Sequence, residues 1–123
     1  MIIENENNAP RQEISEPYKR TLKLLLSPIL HKELERIALG LTILPPGGKS
    51  KEADHIEGEM FYVISGSGLI GVGNEEAKLI SGTAVWVPPY VSHYLLNNSD
   101  KTLKILWVLC PPGRESEIIE NAV

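Results

Sequence analysis

The sequence predicts an all-β domain, either a β-sandwich or a β-barrel. Short apolar runs recur along its 123 residues, Gly and Pro clusters separate them, and no stretch has the periodicity of a long amphipathic helix. This length suits one domain. We expect a flexible N-terminal arm over residues 1–17, where apolar side chains are few, a β-barrel domain over 18–113, and a C-terminal tail over 114–123 with one helical turn.

The predicted strands are bounded by turn signals. The clearest of these are the Pro45-Pro46-Gly47-Gly48 stop and the Gly73-Asn74-Glu75-Glu76 hairpin. Residues 29–36 are interpreted as either a short helical turn or a loop. Strands are predicted at residues 19–26, 36–44, 60–64, 69–72, 77–80, 83–87, 93–97 and 103–109.

Composition excludes several classes of function. The net charge of −4 argues against broad nucleic-acid binding, which usually needs a basic face. No apolar run reaches the ~18–20 residues that span a bilayer, so no membrane partner is expected. The N-terminus lacks the features of a signal peptide, and a cytoplasmic location is therefore predicted. The single cysteine, Cys110, excludes a disulfide within the chain and a cysteine metal cluster.

Several predicted strands are apolar on both faces. The runs at residues 60–64, 83–87 and 103–109 contain almost no polar positions. One face can fill the interior of a barrel, but the other needs a cover, which a second sheet, the N-terminal arm or a partner subunit could supply. We therefore expect a homodimer.

Two of the three histidines and one glutamate form a candidate metal site. His55 and Glu59 would lie roughly 13 Å apart on a straight strand at ~3.3 Å per residue, whereas a turn at Glu57-Gly58 would bring them face to face. His93 begins a later strand beyond a Pro-Pro turn. Two imidazoles and one carboxylate can hold an ion and leave open positions for substrate or O₂. Spacing alone leaves open that His55 and His93 are unconnected surface histidines. His31, in a charged stretch, is interpreted as a solvated residue without a role.

The residues around this candidate site resemble the two motifs of the cupin family. The first motif, G-x5-H-x-H-x3,4-E-x6-G, is matched by Gly47, His55, Glu59 and Gly66. The second, G-x5-P-x-G-x2-H-x3-N, is matched by the residues Gly82, Pro88, His93 and Asn97. The resemblance covers roughly residues 37–110, most of the predicted domain.

The resemblance implies a double-stranded β-helix, or jelly-roll barrel, with a metal ion held by His55, Glu59 and His93. Members of the family bind divalent transition metals, among them Fe, Mn, Ni and Zn. They commonly form dimers, sometimes by exchange of an N-terminal strand, for which residues 19–26 are the candidate.

Two positions depart from the family pattern. The first motif histidine is replaced by Ala53, and the neighbouring Asp54 should point away from the site because strand side chains alternate. The metal site is therefore either a more open three-ligand site or lost in favour of direct binding of an organic ligand. Tyr90 stands where the family usually has Gly. Its phenol either packs near the barrel mouth or contacts a ligand, where it could carry protons as a catalytic residue.

Strand alternation also predicts the pocket wall. If Glu59 points inward, Phe61 and Val63 do so too, and an inward His93 implies an inward Leu95. Such a wall, with polar groups at one end, is typical of a small-molecule site. Strand alternation places no Arg or Lys side chain firmly inside the barrel.

Three functions are compatible with these residues. The first is a metal-dependent enzyme acting on a small oxygen-bearing substrate, with isomerase, lyase, decarboxylase or dioxygenase chemistry. The second is a non-catalytic sensor or carrier of a small ligand, with or without metal. The third, ranked last, is a metal-free epimerase-like activity with His55 as base.

Overall fold

A computed structural model describes all residues, 1–123, as two antiparallel sheets with a shared core. The larger sheet has the strand order β1-β2-β3-β9-β4-β7, and the smaller has the order β6-β5-β8. The strands are β1 (Arg11–Ile14), β2 (Arg20–Leu26), β3 (Ala38–Leu44), β4 (Gly58–Ser65), β5 (Ser67–Val72), β6 (Glu75–Ile80), β7 (Ala84–Val87), β8 (His93–Leu96) and β9 (Leu103–Cys110), and the helices are a 3₁₀ turn (Glu6–Asn8) and α1 (Ser116–Glu120). The predicted all-β class is confirmed.

Alternation along the strands produces the core between the two sheets. In β9, the side chains of Leu103, Ile105, Trp107 and Leu109 are buried, and the residues between them are more exposed. Ile70, Leu79 and Leu95 contribute the buried face of the smaller sheet. Each fully buried aliphatic side chain contributes about 1.5–3 kcal/mol relative to exposure, so this core is the main source of stability.

One motif residue, Asn97, has a structural role. It is fully buried, and its side-chain amide donates to the carbonyls of Leu44 (2.8 Å) and Lys101 (2.7 Å). Its side-chain oxygen accepts from the backbone N–H of Ser99 (3.0 Å). These bonds fasten the end of β3 to the turn between β8 and β9, so Asn97 stabilises the barrel outside the metal site.

The segment between β3 and β4 runs beside β8. Backbone hydrogen bonds join Ala53 and His93 in both directions (3.1 and 3.0 Å), and an isolated bridge joins Lys49 to Leu96. This pairing carries the chain that precedes β4 alongside the strand that begins with His93. It therefore places His55, two residues after Ala53, beside His93.

The N-terminal segment differs from the prediction of a flexible arm over residues 1–17, whereas the helical turn predicted in the tail over 114–123 is present as α1. Strand β1 pairs with β2 throughout its length, and the N–H of Val123 donates to the carbonyl of Arg11. Helix α1 buries Ile118 in the core. The run Arg-Gln-Glu-Ile of β1 has only one apolar side chain, so alternation could not reveal it. The predicted domain boundaries at 18 and 113 stay predictions.

The remaining comparisons with the sequence interpretation are local. Residues 29–36 form a loop with turns, the second of the two predicted alternatives. Trp107 points into the core, whereas Trp86 is on the outer face of the larger sheet and is half exposed. No helix has both the length and the apolar character needed to cross a bilayer.

Candidate metal centre

A bend before β4 brings His55 and Glu59 together. The chain bends at Ile56 and Glu57, so the predicted turn centred on Glu57-Gly58 is corrected by one residue. Gly58 is already part of β4 and does not use a left-handed backbone conformation. Glycine is needed here for a steric reason, because a Cβ atom at this position would collide with the ring of Trp86.

The three predicted ligands converge at this bend. Glu59 Oε1 lies 3.4 Å from His55 Nε2 and 3.3 Å from His93 Nε2, and the ligand atoms of all three lie within 4.8 Å of one another. Two donor atoms that are each about 2.1 Å from one ion are about 3.0 Å apart at a right angle and about 3.4 Å at a tetrahedral angle. The observed distances from Glu59 to the two histidines, 3.4 and 3.3 Å, are close to the tetrahedral value and exceed the ~2.7–3.2 Å of ordinary N–H···O bonds. The residues therefore fit a metal ion.

A backbone carbonyl orients one imidazole, and a buried carboxyl group lies near the other. The carbonyl oxygen of Val91 lies 3.0 Å from His93 Nδ1, which fixes the proton there and leaves the Nε2 lone pair directed at Glu59. On the other ring, Glu57 Oε1 is 3.4 Å from His55 Nδ1, which is buried and has no hydrogen-bond partner. Glu57 is itself buried and accepts from the backbone N–H of Arg114 (2.7 Å). The sequence interpretation missed Glu57 because it treated this residue as part of a turn.

The electrostatics of the three residues are coupled. Burial tends to raise the pKa of Glu59, but the proximity of His55 and His93 outweighs this and holds the pKa below its ordinary value. Burial tends to lower the pKa of His93, but Glu59 and the carbonyl of Val91 raise it above its ordinary value. Glu59 is therefore a carboxylate at neutral pH, which suits a ligand of a cation.

A cavity of about 120 Å³ opens beside the three residues. Phe61 and Leu95 line it, as strand alternation predicts, together with Trp107 and Leu109. Val63 differs, because it is fully buried in the core and is not part of the cavity wall. The cavity is smaller than the ~300–1,000 Å³ of sites for drug-sized ligands, so it suits a small molecule.

The two positions that depart from the motif are now located. Ala53 lines the cavity, so a methyl group stands where the family's first histidine would be, and Asp54 is exposed as predicted. Tyr90 is 72% exposed and is not part of the cavity wall. Its backbone has φ 65°, the conformation that a Gly would supply, and its N–H donates to the carbonyl of His55 (2.7 Å). A catalytic phenol at Tyr90 stays a prediction, and the structure does not bring it to the three ligands.

Sequence reasoning also missed positive charges in the cavity wall. Arg20, Lys51 and Arg114 all line it, contrary to the interpretation that no basic residue is placed inside. The signal for Arg20 was available, since it has the same parity as the inward residues Leu22 and Leu24 of β2. Arg114 lies beyond the last strand, where alternation gives no information.

His31 differs from the expected solvated residue. Its side chain is only 11% exposed, and its Nε2 lies 3.1 Å from Glu4 Oε1. It is not part of the cavity wall, so no role at the site is added for it.

Comparisons with known proteins give one family. The sequence model described as "Cupin domain" matches residues 40–109. An uncharacterized protein of Methanocaldococcus jannaschii is 30% identical over 102 residues, which are 80% of this chain and 81% of that protein. Two solved structures share the fold: a predicted oxalate decarboxylase from Thermotoga maritima (TM-score 0.78, 20% identity, 90% of this chain and 100% of that chain) and the polyketide cyclase RemF from Streptomyces resistomycificus (TM-score 0.77, 18% identity, 92% and 82%).

The family match and the structure agree in detail. The matched residues 40–109 contain both sequence motifs and all three candidate ligands. The two antiparallel sheets are those of a jelly-roll barrel, and the ligands lie at its cavity. This chain belongs to the cupin family.

Proposed function

We propose that this protein binds one divalent transition metal ion (Fe, Mn, Ni or Zn) through His55, Glu59 and His93, and acts as a metal-dependent enzyme on a small oxygen-bearing organic substrate. The observation that carries the proposal is the approach of three ligand atoms to within 4.8 Å at the wall of a cavity. Two imidazoles and one carboxylate leave coordination positions open on the cavity side.

The residues around such a site have different roles. A bound ion supplies Lewis acidity, or a binding position for O₂. Glu59 contributes negative charge, Val91 holds the ring of His93 in orientation, and Glu57 places a second carboxyl group beside His55 Nδ1. The apolar wall, which includes Phe61 and Trp107, keeps water from the substrate.

The structural neighbours support enzymatic chemistry on oxygen-rich small molecules. One is described as a predicted oxalate decarboxylase and another as a polyketide cyclase. Both share only the fold with this chain, and one fold hosts many reactions. We therefore propose the class of substrate and leave isomerase, lyase, decarboxylase and dioxygenase chemistry as alternatives.

A second candidate function is non-catalytic binding of a small ligand, with or without metal. Ala53 favours it, because the site has one imidazole fewer than the family motif and a correspondingly weaker hold on an ion. The two candidates make different predictions for the protein purified without chelator. The enzyme requires bound metal, whereas the binding protein can be stable without it.

Removing one ligand tests the proposal directly. We expect wild-type protein to contain about one equivalent of a transition metal by mass spectrometry of the elements. His93→Ala and Glu59→Gln should reduce this at least tenfold, because each variant removes one of three ligand atoms.

Matched controls separate ligand loss from general damage. His31→Ala removes a histidine outside the cavity, and Asp54→Asn neutralises an exposed carboxylate beside His55. Both should keep their metal. Metal-free wild-type protein with a normal melting temperature would contradict the enzyme proposal and support the second candidate.

Assembly as a homodimer is part of the same proposal. It is supported by an apolar outer face on the larger sheet, where Met60, Tyr62 and Trp86 are about half exposed. Contiguous apolar surface of this kind typically marks an interface.

A further inference from the structure

We propose that Arg20 and Arg114 form a carboxylate-binding site in the cavity wall. The ligand of this protein would then be a small organic anion with a second oxygen atom that reaches the proposed metal site. The contact between this ligand and a metal ion rests on the proposed function. Binding of the carboxylate by the two arginines is argued from separate observations.

The two arginines come from outside the part of the chain that the family model matches. Arg20 begins β2, and Arg114 precedes α1, whereas the match covers residues 40–109. Both nevertheless line the same cavity as His55, Glu59 and His93. The terminal segments of this chain thus add positive charge to a site whose metal ligands lie in the matched part.

Neither guanidinium has a carboxylate partner. No Asp or Glu oxygen lies within 4.0 Å of Arg20 or Arg114, although Arg11 and Lys104 each contact a carboxylate elsewhere in the chain. The one side-chain hydrogen bond of Arg20 goes to the carbonyl of Tyr18 (2.8 Å), and the side chain of Arg114 makes none. Arginine is rarely left unpaired when it is removed from water.

The two charges also act on each other. Burial and the positive charge of Arg114 lower the pKa of Arg20, and only Glu117 opposes them. Two neighbouring cations in a partly desolvated wall destabilise the empty protein. An anion that binds both would remove that repulsion, so the arrangement favours an anionic ligand.

Two of the three carboxylates in the same wall are already engaged. Glu115 is buried and accepts from the hydroxyl of Ser27 (2.7 Å) and from the backbone N–H of Gly113. Glu59 faces the two imidazoles. Glu117 is exposed and is the one acidic side chain that acts on Arg20 without contacting it.

The shape of the cavity limits the size of the anion. Its volume is about 120 Å³, and its wall also includes apolar side chains such as Leu95 and Trp107 and small polar ones such as Ser50. A guanidinium binds a carboxylate through two parallel hydrogen bonds, which fixes the orientation of the ligand. The class that fits is a short aliphatic carboxylate with a second carboxylate or carbonyl oxygen.

Binding calorimetry with malonate tests the carboxylate site. Wild-type protein, used as purified, should bind malonate and not the neutral malonamide. Arg114→Gln and Arg20→Gln should each weaken malonate binding roughly ten- to hundredfold, because a charge-assisted pair is lost. The metal content of both variants should stay at the wild-type value. Lys78→Gln, which removes an exposed cation of β6 outside the cavity, should bind like wild type.

Several results would overturn the carboxylate site. They are equal binding of malonate and malonamide, wild-type affinity in Arg114→Gln, or no binding of oxalate, malonate or succinate at millimolar concentration. If Arg20→Gln fails to fold because the bond to Tyr18 is lost, Arg114→Gln decides alone, since its side chain has no such bond. Absence of metal from a wild-type protein that still binds malonate through the arginines would contradict the metal proposal and leave this one intact.

Discussion

The charge of Glu59 determines what the site can hold. A buried carboxylate away from cations is normally neutral, but here two imidazoles within 3.4 Å stabilise its ionised form. The same contacts raise the pKa of His93. The three residues can therefore hold a proton when no metal is bound and exchange it for a metal ion.

The family motifs were enough to predict the three candidate ligands, but not the residues around them. His55, Glu59 and His93 fall at motif positions, so their convergence could be predicted from the sequence. The contact of Glu57 with His55 depends on the bend itself, which no periodicity reveals. The position of Arg114 depends on how the tail folds back over the cavity.

Tyr90 gives a prediction about backbone strain. A non-glycine residue in the left-handed region costs about 1–2 kcal/mol, and Tyr90 has φ 65° with an exposed side chain. Tyr90→Gly removes that cost but gives the unfolded chain more freedom, which is worth about 0.4–1 kcal/mol. We expect the free energy of unfolding to rise by up to about 1.6 kcal/mol, measured by urea denaturation.

The matched variant for this test is Tyr90→Phe. It keeps the side-chain bulk and the strained backbone and removes only the hydroxyl, so stability should equal that of wild type. A clear loss of stability in Tyr90→Gly would show that the phenol ring makes contacts that outweigh the strain. A loss of activity in Tyr90→Phe with normal stability would instead support the predicted catalytic phenol.

At the level of elements, sequence patterns predicted the strands that have an apolar face. Strands β2 to β9 all follow alternation or apolar runs that end at Gly or Pro. Strand β1 was missed because its stability comes from pairing with β2, a long-range contact absent from local sequence. The 3₁₀ turn Glu6–Asn8 is held by a similar long-range contact, since Lys104 of β9 donates to Glu6 Oε1 (2.6 Å).

The Glu6–Lys104 pair predicts a pH-dependent part of the stability. The hydrogen bond and charge of Lys104 hold the pKa of Glu6 below its ordinary value, although slight burial opposes this. The stabilisation is therefore present above the pKa of the unfolded chain and is lost as pH falls through the lower folded pKa. Glu6→Gln should cost about 0.5–1 kcal/mol at pH 7. The difference from wild type should shrink below about pH 4.5.

Urea denaturation at a series of pH values measures this difference. The control is Glu13→Gln in β1, because Glu13 forms a similar contact with Arg11 (3.4 Å) on a much more exposed surface. That variant should change stability by less than about 0.5 kcal/mol at any pH. A difference for Glu6→Gln that stays constant from neutral to acidic pH would show that charge is not its origin.

The whole molecule has two apolar surfaces, and only one is covered within the chain. The inner face of β4, β7 and β9 packs on the smaller sheet, and its β4 and β9 residues also line the cavity. On the outer face, Val108, Met60 and Trp86 lie side by side on three adjacent strands. The sequence predicted that these strands are apolar on both faces, but which tryptophan lies on which face required the structure. No segment of the chain covers this outer surface, which we call the β4 face.

The β4 face predicts the outcome of a charge substitution on oligomeric state. Met60 lies at its centre and is 50% exposed, so Met60→Lys introduces a charge without removing a core side chain. We expect wild-type protein to be a dimer by light scattering during size exclusion and Met60→Lys to be a monomer. The variant monomer should have the melting temperature of the wild-type monomer. A lysine facing the same apolar surface of a second copy would be desolvated without a partner, which is strongly unfavourable.

Ile80→Lys is the matched control, because Ile80 is 64% exposed on β6 of the other sheet. A monomeric wild type, or a dimer that persists in Met60→Lys and dissociates in Ile80→Lys, would show that the β4 face is not the interface between two copies.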